Sequence, residues 1–220
     1  MGSMANRRSI MVLYSDPDGL LGHCTRLVLA EKDINVEINF VQEGERPEEL
    51  AELNPYNSIL TLIDRDLVLY DAQIIMEYLD ERFPHPPLLP VDPVNRASNR
   101  QLRYRVMRDL YSLIDDIEGD NDIAAANARK TLRDNLTAIA PAFAQKPFFM
   151  SDEYTLVDCC MAPLLWRLPL YAVKLPGSAK PLLAYADRLF QKPAFKSSLS
   201  GAEKEMREDY FHNRPGVNLS

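Results

Sequence analysis

The residues best suited to chemistry in this 220-residue chain lie in three places. The first is Cys24, beside His23 in the string LLGHCT (20–25). A thiol near the start of a helix feels the positive end of the helix dipole, which lowers its pKa and favours the reactive thiolate. The plainer reading is a small side chain packed on a helix. Cys159 and Cys160 are neighbours on an apolar segment and read as core packing. His23, His85 and His212 are too scattered for metal-ligand spacing, so neither a metal nor another cofactor is expected. The second place is Arg96, Arg100 and Arg103, spaced i, i+4, i+7 so that they form a stripe on one helix face. Such a stripe serves as a solvated or salt-bridged face, as a contact to an acidic second subunit, or as a site for an anionic ligand. The third is FPHPPLLPVDP (83–93), which holds five of the sixteen prolines. Successive prolines fix φ and favour an extended, preordered segment, which loses little entropy on binding. Pro84, His85, Pro86 and Pro87 are therefore candidates for partner binding, the alternative being a hinge alone.

The elements that must position these residues are legible from periodicity. Ile10–Tyr14 is a short apolar run closed by the turn cluster SDPDG, a buried strand. Residues 23–32 have helical spacing, 36–41 alternate as a second strand, and Pro47 with acids behind it opens a helix to Leu53. Residues 60–63 and 67–70 flank Asp64-Arg65-Asp66 as a hairpin, and 72–83 is a helix with Asp71 at its N-cap. The order is β-α-β-α-β-β-α. After the prolines the pattern is helical throughout: 94–118, an Ala-rich 123–144, 155–168 with Thr155 and Asp158 as a capping box, and 179–198 broken near Pro193. The tail after Tyr210 reads as loose. These segments predict a thioredoxin-like domain over 7–84, a proline-rich linker over 85–93 and an all-helical domain over 94–210.

Composition limits the classes of function. Apolar residues make up 46% and charged residues 26% of the chain, as in ordinary globular proteins. No run approaches a membrane span and no signal peptide is evident, so neither a membrane partner nor secretion is expected. Three cysteines, few and odd in number, suit a reducing cytoplasm. Met1–Ser3, ahead of Met4, reads as an expression remnant. Residues 1–90 carry 16 acidic against 7 basic side chains, and the remainder 16 against 18. The acidic first half repels phosphate backbones, which argues against direct nucleic-acid binding.

This order of elements, the linker and the Thr155/Asp158 box resemble the cytosolic glutathione transferase superfamily. The strings RLVLAEK (26–32), LNPYNS (53–58), TLIDRDLVLYDAQIIMEYLDERFPHPPLLPVDPV (61–94), DEYTLVDCCMAPLLWRLP (152–169) and FQKPAFKSSLS (190–200) more narrowly resemble the stringent starvation protein A family. That resemblance implies a regulator that associates with sigma-containing bacterial RNA polymerase holoenzyme during starvation, has no transferase activity, and uses the Pro-His-Pro turn as a contact surface. It also implies a homodimer in which the arginine-bearing helix faces the partner. Members often carry Tyr where this chain has Asp92.

The transferase resemblance also shows what is missing. A glutathione transferase uses a Ser, Tyr or Cys after its first strand to stabilise the thiolate. It uses a cis-proline before its third strand and an acid–serine pair opening its third helix. Here Gly22 stands near the first position, Leu60 at the second and Ala72 at the serine, with Asp71 remaining. A cis bond before a non-proline residue costs about 3 kcal/mol, so Leu60 is expected in a trans bond with a changed loop. The alternative function is a glutathione-dependent transferase or a thiol redox protein acting through Cys24.

Overall fold

In the computed structural model, which describes residues 10–208 apart from 43, 46 and 57, every residue of strand β1 (Met11–Ser15) is buried. Its side chains alternate between two apolar layers, as strand geometry requires. Met11 and Leu13 join the larger core, while Val12 and Tyr14 join a smaller one with Val41, Leu50 and Ile63. Helix α1 (Leu20–Glu31) crosses to β2 (Val36–Phe40), which runs parallel to β1 with Met11 opposite Val36 and Ser15 opposite Phe40. After α2 (Glu48–Leu53), β3 (Thr61–Asp64) lies antiparallel to β1, pairing Val12 with Ile63 and Tyr14 with Thr61. Strand β4 (Leu67–Leu69) folds back through Arg65 at φ 58°, and the strand order is β2-β1-β3-β4. Helix α3 (Ala72–Arg82) completes this half. The expected β-α-β-α-β-β-α order is observed.

The second half is helical: α4 (Pro93–Asp109), α5 (Ile114–Glu118), α6 (Asp122–Ile139), α7 (Leu156–Arg167), α8 (Lys180–Gln191), α9 (Pro193–Ser198) and α10 (Gly201–Glu205). Two expected helices are shorter than the apolar spacing suggests. The segment 94–118 breaks at Leu110 (φ −120°) into a short 3-10 turn. The break turns Tyr111 inward, and Asn135 Nδ2 donates to the Asp109 carbonyl at 3.0 Å, satisfying an acceptor that the break leaves free. The segment 123–144 changes from α to 3-10 geometry at Ala140, beside Pro141. Helix α7 is buried along all twelve residues, and the expected box at its start is present: Thr155 caps Val157 while Asp158 Oδ2 accepts from Thr155 N at 2.8 Å. Helix α10 was not expected, although Ser200 and Glu203 carry the same S-x-x-E signature. Met1–Ser3, the tail after Tyr210 and His212 lie outside the described residues.

The two halves share one core. The larger cluster runs from Leu13, Leu27 and Ile75 to Leu132, Trp166 and Tyr185 without interruption. At their seam lies a buried charge cluster. Arg26, on α1, donates from Nη1 and Nη2 to the two oxygens of Glu203 at 2.9 and 2.8 Å. Arg167 also bonds Glu203, and it bonds the Asp18 carbonyl. Ser198 Oγ donates to Phe195 O, so it accepts from His23 Nε2–H; His23 Nδ1 then accepts from Arg167. This is the neutral tautomer, and burial together with the two arginines keeps the imidazole well below its usual 6.5. Burial opposes the charge on Glu203, but the Arg26 and Arg167 guanidiniums outweigh it and bring its carboxyl from 4.5 to about 2.

The sign of the pH dependence follows. Both groups bind fewer protons folded than unfolded, so stability is full above about pH 6.5 and falls on acidification. His23 contributes first, and Glu203 then acts between about 4.5 and about 2. The Glu203 share is on the order of 3 kcal/mol. Glu203→Gln is expected to lower stability at pH 7 and to flatten the acid limb below pH 4.5 in urea unfolding curves. An unchanged acid limb would refute the assignment.

Candidate functional site

The region where the transferase resemblance places a thiol ligand has the chain's own polar groups close to Gly22. Gly22 is buried in α1, and a Cβ there would come within 2.3 Å of Asp16 Oδ1 and 2.4 Å of Ser15 Oγ. A side chain at that position would have to displace the Asp16 carboxyl and the Ser15 hydroxyl. The Asp16 carboxyl, raised above its usual range by burial, occupies the space instead. Leu60 is buried, and the one cis peptide bond among the described residues is His85–Pro86, so the bond before Leu60 is trans. Ala72 is the first residue of α3, where Asp71 accepts from Gln73 N at 2.9 Å and Ile74 N at 3.0 Å. Asp71 thus takes two of the free amides at the start of α3.

Cys24 lies five residues into α1 and is wholly buried. Tyr111 donates its hydroxyl proton to the Cys160 carbonyl at 2.6 Å, so the 3.1 Å contact between Cys24 Sγ and Tyr111 Oη has the thiol as donor. Burial pushes the Cys24 thiol well above its ordinary range. The dipole effect expected from sequence is thus outweighed by desolvation. Tyr111 is also the link that sequence spacing conceals, since it brings Cys24 and Cys160 to one hydroxyl. All three cysteines are free and buried. Among the described residues no cluster of three or more His, Cys, Asp or Glu side chains could hold a metal. No helix there is long and apolar enough to cross a membrane.

The arginine stripe has partners within the chain. Arg100 forms a fork on Glu77 of α3, with Nε to Oε1 at 3.0 Å and Nη2 to Oε2 at 2.9 Å. Arg103 is buried, bonds the same carboxylate, and donates to Gln73 Oε1 at 2.9 Å. Bonding from Arg100, with Arg103 behind it, holds Glu77 below the usual carboxylate range. Arg96 is half-buried, and its Nε has no hydrogen-bond partner. Of the readings open from sequence, the structure realises the internal salt bridge for Arg100 and Arg103.

The linker is a separate surface. Pro84, His85, Pro86 and Pro87 are all exposed, while Leu88 and Leu89 are buried immediately after them. The loop therefore stands on an apolar foot. Leu88 O accepts from Leu156 N at 2.9 Å, and Asp92 ends the segment by capping α4 through Asn95 N at 2.9 Å.

Arg103 is buried and bonds both Gln73 and Glu77, whereas Arg100 is exposed and its pair contributes little. Arg103→Ala is therefore expected to cost about 2 kcal/mol and Arg100→Ala under about 1 kcal/mol, read from urea midpoints. Equal losses would contradict the division of labour on Glu77.

Comparison with known proteins supports the same architecture. Residues 9–81 match the model of the glutathione S-transferase N-terminal domain, and residues 104–193 that of its C-terminal domain. The chain is similar to a stringent starvation protein A homolog of Coxiella burnetii, 49% identical over 92% of this chain and 97% of that protein. It is also similar to the homolog of Pasteurella multocida, 47% identical over 95% of this chain and all of that protein. Among solved structures it is similar to the tau-class glutathione S-transferase of mango, with TM-score 0.78 at 23% identity over 92% and 98% of the two chains.

Proposed function

Since the chain belongs to the stringent starvation protein A family, we propose that it regulates transcription by associating with sigma-containing RNA polymerase holoenzyme in the cytoplasm, as a homodimer and without transferring glutathione. The observation that carries this reading is the contrast between its two surfaces. Where a transferase would hold glutathione, the Asp16 carboxyl stands against Gly22 and Asp71 caps the amides of Gln73 and Ile74. In the linker, four consecutive residues, Pro84 to Pro87, are offered to solvent from a segment whose φ angles are fixed by proline. A preordered loop of this kind loses little entropy when a partner covers it. The overall acidity of the chain, net −7, suits a protein partner better than a phosphate backbone.

His85 is the proposed centre of that surface. Exposed substitutions usually change stability by less than about 0.5 kcal/mol. A residue at the centre of an interface is worth roughly 2 kcal/mol, or about 30-fold in affinity. His85→Ala is expected to keep the melting temperature and the dimer, measured by sedimentation at micromolar concentration, while capture of polymerase from a bacterial lysate falls about 30-fold. Capture equal to wild type would sink the recognition reading, and a monomeric wild type would remove the homodimer from it.

Glutathione supplies the complementary test. Calorimetry is expected to give no binding tighter than millimolar, and a general electrophile no turnover above background. Tighter binding with turnover would favour the transferase alternative.

A further inference from the structure

Beneath the exposed prolines lies an ion pair that neither the cleft nor the linker reading accounts for. Lys32, the residue that closes α1, is buried, and so is Asp80 of α3. Lys32 Nζ donates to Asp80 Oδ1 at 2.6 Å and to the Pro86 carbonyl at 2.5 Å. The same Asp80 oxygen accepts from Leu88 N at 2.8 Å. One cation and one carboxylate thus hold the backbone on both sides of Pro87. Proline leaves this loop short of its own donors, so its carbonyls need partners from elsewhere. The pair supplies them from two helices of the thioredoxin-like half.

We propose that Lys32 and Asp80 are positioning residues for partner recognition, fixing the 84–87 loop in the conformation that the partner reads. This rests on the recognition reading of that loop. Three features carry it. The pair is buried, so it is rigid and unscreened by salt. It bonds main-chain atoms, so it controls where the loop lies whatever side chains stand there. Its two elements, α1 and α3, are packed in the main core through Leu27, Leu29, Met76 and Leu79. The loop's position is thereby tied to the body of the fold and not to the linker's own stiffness.

A single substitution would leave one buried charge unpaired and risk unfolding, so the informative variant removes both. Replacing a buried ion pair by apolar residues of similar size is often neutral or stabilising. Lys32→Met with Asp80→Leu is therefore expected to melt close to wild type. The amide of Leu88, well protected in the wild type, should exchange at least tenfold faster in the double variant, read by NMR. Polymerase capture should fall about tenfold, because the loop must then be ordered on binding. Wild type and His85→Ala are run alongside. If the double variant captures polymerase as wild type does while His85→Ala does not, the positioning role is wrong and the recognition reading stands. If wild type captures none, the recognition reading fails and the partner role of the pair fails with it. Unchanged Leu88 exchange in the double variant, or a wild-type Leu88 amide that exchanges as fast as that of His85, overturns the clamp itself.

Discussion

A guanidinium inside a helix buried on nearly every side must be matched, and that requirement shapes the whole molecule. Gly22 to Leu29 of α1 are buried without interruption, with Arg26 among them. Taking such a charge out of water costs several kcal/mol unless a partner of opposite sign meets it with good geometry. The partner, Glu203, comes from the far end of the described chain, and it arrives only if α9 and α10 fold over the seam. Glu203 in turn caps α10 through Ser200 N at 2.9 Å, so one carboxylate serves a local helix start and a long-range closure together. The halves are therefore held together by more than the linker. They are built around a shared helix whose charge belongs to one half and whose counter-charge belongs to the other.

This arrangement bears on how a ligand-binding scaffold is put to a different use. The glutathione transferase fold brings a β1–α1 turn, the start of α3 and the face of α4 to one place. In this chain Asp16 stands against Gly22, Asp71 holds the Gln73 and Ile74 amides at the start of α3, and Cys24, Tyr111 and Cys160 are joined by a buried hydrogen-bond chain. None of these needs a change of fold. The linker presents a different kind of surface, where proline removes the donors that would otherwise draw the loop into secondary structure.

Much of the architecture was legible because its signals are local. The apolar run 10–14, the alternation in 36–41, Pro47 with its acids, Asp71 before an amphipathic run, and the Thr155/Asp158 box all act within a few residues, and the structure uses each of them. Helix breaks were not legible. Leu110 and Leu113 keep helical spacing, and what bends the chain there is a tyrosine reaching a carbonyl 49 residues away. Pairings between charges were least legible of all. The stripe of Arg96, Arg100 and Arg103 could be seen, but nothing in spacing singles out Glu77 among the acids of the first half. Lys32 reads in sequence as the charged end of a helix, a solvated feature. Its burial is set by where α3 and the linker pack, which is a property of the tertiary fold alone.

The one tryptophan of the chain is placed where it reports on closure. Trp166 is wholly buried, donates its indole N–H to the Glu203 carbonyl at 3.0 Å, and meets Phe190 and Phe195 edge-on at 5.0 and 5.3 Å. The Arg207 guanidinium lies 4.8 Å over its ring. The indole thus touches α8, α9 and α10 together. Tryptophan emission from the isolated protein therefore reports on the C-terminal lock, where the last helices close over the shared core.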